Sequence, residues 1–412
     1  MVYEKRYDNG LRLVVKKMEG ILSVTMGILV GTGAAVESAQ EDGISHFIEH
    51  MQFKGTTKRN AFEVSDAFDK IGAQVNAFTG KDCTCYYAKS IADHAADAFE
   101  ALSDLFLNST YPEEEIVREK GVICEEISMN EDTPEDLCLD LLASAYYGKE
   151  NYGRNILGPA KNVKGFTIEQ VNAYKKERYC PENIVISFAG GITFEEADRL
   201  VTQYFSSMKK GGFQKRVVSP KLQGKSLIKK KPIEQLHLAI GYSAIARGDE
   251  CEEGMQVLNA VLGGSMSSRL FQEVREKNGL AYSVYSYLSA YEECGSLVVY
   301  AGVNAENGQK AYDAIGKVIK TLKQEGITEE EFLRGRAQMK SALLFAQENT
   351  SSQMLTYGKY MLFNDKLFDF DKKIAKIDSL TKADVAEAIE KTFDEKKKAV
   401  AAVGVVDTPF AL

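Results

Sequence analysis

Two histidines and a glutamate fall within five residues in His46-Phe47-Ile48-Glu49-His50. On a helix, residues four apart project from the same face, so His46 and His50 can grip one divalent cation from one side. Glu49 stands beside them and can reach a water in an open coordination position, where a carboxylate serves as general base. The chain has 4 histidines and 59 acidic residues among its 412. At those frequencies a His-x-x-acid-His string arises by chance in roughly half a percent of such chains. The competing reading is an amphipathic helix with two incidental core histidines, and that frequency weighs against it.

A hydrolytic metal centre needs a third protein ligand and elements that hold all three. Asn9-Gly10 marks a hairpin, and residues 24–30 read as a buried strand. The motif helix starts near Ile44, after Gly43, and stops before Gly55. A second helix fits residues 61–71, two strands fit 76–90 around Gly80-Lys81-Asp82, and a long amphipathic helix fits 92–108. Pro112, followed by Glu113, Glu114 and Glu115, opens a further helix with proline and acids in its first turn. Residues 146–158 read as loop, 168–179 as helix and 183–189 as strand.

Residues 209–231 hold nine Lys or Arg, three glycines and no acid. They read as a solvated linker, placed at 213–231, between an N-terminal half (1–212) and a C-terminal half (232–412). Beyond the linker the earlier pattern returns, with a strand at 235–241 and a helix at 255–262. Residues 310–331 lie 216 positions after 94–115 and share Ala-x-Asp-Ala and a closing Glu-Glu-Glu. The strand at 400–404 lies 214 positions after 186–190. Two segments agreeing in offset indicate an internal duplication. The expected fold class is α+β: two homologous halves, each a mixed sheet with helices on one face.

The duplication narrows the search for the third ligand. The helix opened by Pro112 carries Glu119, Glu125 and Glu126. Seven residues make nearly two turns, so Glu119 and Glu126 share a face and Glu125 does not. Their counterparts 216 positions on are Gly335 and Ala342. The second half has no second His-x-x-Glu-His either, so one half is equipped and the other degenerate.

Composition removes other classes. A net charge of −8 argues against a general nucleic-acid binder. The 7 cysteines are scattered without a Cys-x-x-Cys pair and read as reduced buried thiols. The N-terminus has no apolar signal core and no apolar run reaches membrane-spanning length, so a cytoplasmic protein is expected, acting on neither membrane nor nucleic acid.

The longer string Gly43-Ile44-Ser45-His46-Phe47-Ile48-Glu49-His50-Met51-Gln52-Phe53-Lys54-Gly55-Thr56 resembles the pitrilysin–insulysin family of zinc peptidases, the inverzincins, in the branch of mitochondrial processing peptidase and its bacterial relatives. Glu126, 76 positions after His50, fits the same pattern, as do Asn76-Ala77-Phe78-Thr79, Ile156-Leu157-Gly158, Tyr179-Cys180-Pro181-Glu182-Asn183, and the run from Ser268-Arg269-Leu270-Phe271 to Tyr282-Ser283-Val284. The resemblance implies that His46, His50 and Glu126 bind Zn2+, that Glu49 is the general base, and that Glu119 orients a histidine from behind. It implies that Arg275 and Tyr282 of the degenerate half donate hydrogen bonds to the substrate, and that Asn76, Ala77, Phe78 and Thr79 form a sheet edge to which a peptide adds as a strand. Asp82 stands where the family pattern has a glutamate.

The resemblance further implies an endopeptidase for peptides or unfolded segments, a clam-shell arrangement, and a homodimer, since one chain carries both the zinc residues and the Arg275/Tyr282 pair. The alternatives are a subunit of a heterodimeric processing peptidase, active only with a homologous partner chain, and a non-catalytic structural relative.

Overall fold

The computed structural model describes the chain except residues 217, 219, 221, 407–409, 411 and 412, and the side chain of Glu395. The first half runs β1 (Val2–Arg6), β2 (Arg12–Lys17), β3 (Ser23–Val30), α1 (Ile44–Gln52), α2 (Ala61–Asp69), β4 (Gln74–Thr79), β5 (Thr84–Ile91), α3 (Ala95–Asn108), α4 (Glu113–Asp132), α5 (Pro134–Tyr147), α6 (Ala160–Gly165), α7 (Ile168–Arg178), β6 (Ile184–Gly190) and α8 (Phe194–Phe205). The second runs β7 (Ser226–Lys230), β8 (Gln235–Ala244), α9 (Glu252–Leu262), β9 (Ala281–Ala290), β10 (Gly295–Asn304), α10 (Gly308–Glu325), α11 (Glu329–Ala346), α12 (Thr350–Asn364), α13 (Phe370–Ser379), α14 (Lys382–Thr392) and β11 (Ala399–Gly404).

Two mixed sheets result. The first has strand order β1-β2-β6-β3-β5-β4 and the second β7-β11-β8-β10-β9. Each contains one parallel pair, β2/β6 and β11/β7 respectively. The α+β class with a sheet and a helical layer in each repeat stands as expected. So does the duplication: α11 begins 216 residues after α4, and α12 begins 216 residues after α5. The expected linker needs correction at its end. Residues 226–230 form β7, which pairs with β11 from Ser226 to Lys230 and so belongs to the second sheet. Part of the remaining linker lies outside the described residues.

The compact units do not follow a single cut through the sequence. One unit comprises Met1–Ile127, Asn155–Val217 and Phe345–Phe368; the other comprises Ser128–Arg154, Val218–Leu344 and Asp369–Leu412. Each repeat thus lends one helix to the other's sheet. In the first unit, α12 buries Met354 against Leu29, Cys85 and Ala189, and Tyr357 and Met361 against Val14 and Val185. The opposite face of the same sheet carries Leu13, Val15, Ile28, Val30, Ile186 and Phe188, packed under the helical layer of α1, α3, α7 and α8. Strand alternation makes this two-sided burial possible. Gly27 is the fitting piece, since a side chain there would occupy the place of the Met354 thioether. In the second unit, α5 lies on β8 and β11 in the same way, with Leu142 against Gly241.

Candidate metal centre

Helix α1 is short, and its start is fixed from outside. Gly43 precedes it at φ 95°, a left-handed conformation that glycine tolerates best, and a Cβ there would stand 2.6 Å from the Leu157 carbonyl oxygen. No side chain at the cap position serves the first turn. The buried Glu37 carboxylate does so instead, accepting the Gly43 N–H at 2.8 Å and the Ser45 N–H at 2.9 Å. Burial pushes Glu37 up to about 7, against the pull of those hydrogen bonds. The helix buries Ile44, Phe47, Ile48 and Met51 in the core of the first unit, which turns His46, Glu49 and His50 away from it.

Helix α4 brings the other donor. Glu126 Oε2 lies 3.7 Å from His46 Nε2 and 3.5 Å from His50 Nε2. One donor atom from each of His46, His50 and Glu126 lies within 4.8 Å of the others. Two atoms each about 2.1 Å from a tetrahedral ion lie about 3.4 Å apart, so the spacing suits a shared cation better than direct hydrogen bonds. Burial, then the neighbouring His50, pulls His46 down to about 4. His46 is therefore neutral at neutral pH, the state in which an imidazole offers a lone pair to a metal.

Behind the cluster, Glu119 is 2% exposed. Its Oε2 lies 3.0 Å from His50 Nδ1 and its Oε1 lies 2.6 Å from Lys54 Nζ. Burial alone would raise this carboxyl. The hydrogen bonds and charges of His50 and Lys54 outweigh it and hold Glu119 below the ordinary carboxylate value. An ionised Glu119 accepts the Nδ1 proton of His50 and leaves Nε2 free toward Glu126, the usual arrangement behind a metal-ligating histidine.

Glu49 is half-buried on the same helix face, and the Thr79 hydroxyl donates to its Oε2. Burial is the main cause of its raised carboxyl; Thr79 and His50 oppose it and Glu126 adds to it. Thr79 ends β4, the edge strand of the first sheet. There the Asn76 side chain accepts the Ala77 N–H at 2.8 Å, so that N–H points away from β5 toward the open edge. In the second unit, the Arg275 guanidinium lies over the ring of Tyr282, 5.4 Å from its centroid, and over Phe271 at 4.7 Å. Tyr282 is 79% exposed.

The structure thus gathers His46, His50, Glu126, Glu119, Glu49 and Thr79 in one place and pairs Arg275 with Tyr282 in another. Sequence reasoning missed Lys54 and Glu37. Lys54 stands four residues after His50, one turn further along the same side, a spacing that could have marked it. Glu37 sits in what reads as an ordinary acidic loop.

Residues 12–160 match the model of the insulinase family (peptidase family M16), and residues 165–339 match that of the peptidase M16 inactive domain. The zinc protease YmxG of Bacillus subtilis is 42% identical over 378 residues, covering 91% of this chain and 92% of its own. A zinc protease of Streptomyces coelicolor is 35% identical over 386 residues, covering 91% and 84%. The chain therefore belongs to peptidase family M16. Among solved structures, a peptidase M16 inactive domain from Pseudomonas fluorescens superposes with a TM-score of 0.91 over 100% of both chains at 20% identity. A protease from Helicobacter pylori gives 0.88 over 98% and 99% at 21% identity. These two bear on the fold. Among the described residues, no helix is long and apolar enough to cross a membrane.

Proposed function

We propose that this chain is a zinc-dependent endopeptidase acting on peptides and unfolded polypeptide segments. The observation that carries the reading is the cluster of His46, His50 and Glu126, with donor atoms within 4.8 Å and Glu49 on the same helix face. Those three residues would hold the ion, and the two nitrogens with one carboxylate oxygen are a donor set that zinc accepts in hydrolases. Zinc, when bound, supplies a Lewis acid that makes water acidic and polarises a carbonyl.

The remaining work falls to the chain's own groups. Glu49 takes the proton of the attacking water and returns it to the leaving amine. Thr79 holds the carboxylate in place until substrate arrives. Glu119 keeps His50 in the tautomer that presents Nε2, and Lys54 keeps Glu119 charged. The outward-facing backbone of β4 at Asn76–Thr79 receives the substrate as an added strand. Arg275 and Tyr282 donate hydrogen bonds to substrate carbonyls or to the developing oxyanion. Since one chain carries both sets, a pair of identical chains suffices, and we assign a homodimer.

The test is hydrolysis of a quenched fluorogenic peptide by pure protein and by Glu49→Gln, with zinc counted in both. The expected result is one zinc per chain in each, and a rate at least about a hundredfold lower in the variant. Zinc-loaded wild type that is inert alone and active only with a homologous chain would favour the heterodimer. Hydrolysis undiminished in Glu49→Gln would refute the assignment of the base.

A further inference from the structure

The sheet face opposite Glu49 carries a charge arrangement that the chemistry above does not use. Pairing of β4 with β5 and of β5 with β3 aligns Phe78 with Cys85 and Leu29, Asn76 with Tyr87 and Gly27, and Gln74 with Lys89 and Thr25. Residues directly opposite share a face, so all nine lie on one side. That is the side of α12, because Thr350 hydrogen-bonds Thr25 at 2.8 Å and Met354 packs on Leu29 and Cys85. Helix α12 packs on β2, β3 and β6. On the outer strands, Phe78 and Tyr87 are only half-buried and Asn76 and Gln74 are exposed.

Lys359 of α12 reaches over this strip. Its ammonium lies 5.1 Å from the centroid of the Phe78 ring. Lys89 lies on the same face, one strand in from the edge. Among the described residues, neither ammonium is in an ion pair. The edge strand thus has two faces of different character. Thr79 turns to Glu49 and the metal cluster, while Phe78, next to it in sequence, turns to Lys359. A polypeptide added to β4 lies about 4.8 Å away and alternates its side chains between the same two faces. The side chain beside Phe78 then comes within reach of the Lys359 ammonium, which is partly desolvated over an aromatic ring and lacks a counter-ion.

We propose that Lys359 is a specificity-determining residue that selects an acidic side chain in the bound polypeptide, at the one position that lies beside Phe78. Selection of this kind presupposes the peptidase activity proposed above. It runs opposite to the preference for basic peptides that the acidic overall charge of the chain would suggest, since the charged groups beside Phe78 on this face are the ammonium groups of Lys359 and Lys89.

The test starts from one fluorogenic peptide that the zinc-loaded wild type cleaves, with Glu, Gln and Lys placed at each position in turn. At one position kcat/KM should rank Glu above Gln above Lys. The Glu-to-Lys ratio there should be at least about tenfold at low ionic strength and shrink in high salt. Lys359→Glu should invert the ranking at that position alone. Ratios near one throughout, or a ranking that survives Lys359→Glu, would overturn the assignment. If no peptide is turned over, the peptidase reading fails on its own. The same ranking is then read by fluorescence anisotropy of labelled peptides on Glu49→Gln, where charge-ranked binding upholds the role of Lys359 and charge-blind or absent binding refutes it.

Discussion

Helices α4 and α11 occupy the same place in the two repeats and differ at the positions that matter. Both open on three glutamates, and they start 216 residues apart. In α4, Glu119 is buried against His50 and Lys54 of the first repeat. At the matching place in α11, Gly335 packs on Val257 and Val261 of α9; a Cβ there would stand 3.0 Å from Val257 Cγ1. Glu126 is likewise replaced by Ala342. A buried carboxylate is tolerated only where donors satisfy it, and at this contact α9 presents the Val257 and Val261 side chains and the Val257 carbonyl oxygen, none of them a donor. One scaffold therefore holds either a polar contact that gathers candidate metal ligands or a close apolar one, and the choice is made by a few side chains. The same contrast holds more widely among the described residues: Glu37, His46, Asp104, Glu119 and Arg178 are buried in the first unit, against Arg154 and Glu253 in the second.

The sharpest break of the comparison is to take the metal donor from one repeat and offer it to the other. Glu126→Ala is expected to abolish stoichiometric zinc and peptide hydrolysis together. Ala342→Glu, added to that variant, should restore neither, because α9 supplies no histidine. Recovery of zinc binding, measured by metal analysis after dialysis, would show that the two helices are closer in chemistry than their packing suggests.

Next in size is Gly335→Glu, which forces the Glu119 side chain into the apolar contact. Overpacking and an unpaired carboxyl together should remove about 3 kcal/mol, read as a lower urea midpoint. Glu119→Ala is expected to weaken zinc binding by about 10–100-fold, the usual effect of removing the partner behind a ligating histidine. A competitive chelator titration reads that loss directly, apart from activity.

The smallest effect concerns pH. Lys175, on α7, donates to Gln52 Oε1 at 3.3 Å and to the Phe106 carbonyl at 3.1 Å, and burial lowers its ammonium to about 7. Its folded value lies below the ordinary 10.5. Its contribution is thus most favourable above about pH 10.5 and is lost as pH falls toward 7. Lys175→Met should therefore stabilise the protein by about 2 kcal/mol at pH 6 and by little at pH 10. Gln52 keeps Tyr111 as a donor and the Phe106 carbonyl keeps Gln52, so neither acceptor is orphaned. Thermal melts at the two pH values check the sign.

Much of the site was legible because its residues are local. His46, Glu49 and His50 lie within one helix, and Glu119 and Glu126 show their shared face by spacing alone. The strand and helix order followed from hydrophobic period and from Gly and Pro punctuation, and the duplication from a constant offset. What escaped depends on contacts between distant segments. Helix α5 carries apolar residues in several directions and packs on the turn at 151–153 as well as on the second sheet, so its sequence shows no clean amphipathic stripe. The exchange of α5 and α12 rests on Leu142 meeting Gly241 and Met354 meeting Gly27, pairings that no local pattern announces. β7 hid in a lysine-rich stretch because none of its positions is more than half-buried and no apolar alternation marks it. Lys359 gave no signal at all, since its meaning comes from Phe78, far away in sequence.

The proposed chemistry requires one shared cation between α1 and α4. Anomalous diffraction at the zinc edge, from crystals of the protein loaded with one equivalent of zinc, tests it most directly. It should show a single strong peak per chain, bounded by His46 Nε2, His50 Nε2 and a Glu126 carboxylate oxygen, with Glu119 still on His50 Nδ1. A peak elsewhere, or these three side chains diverging with zinc present, would contradict it.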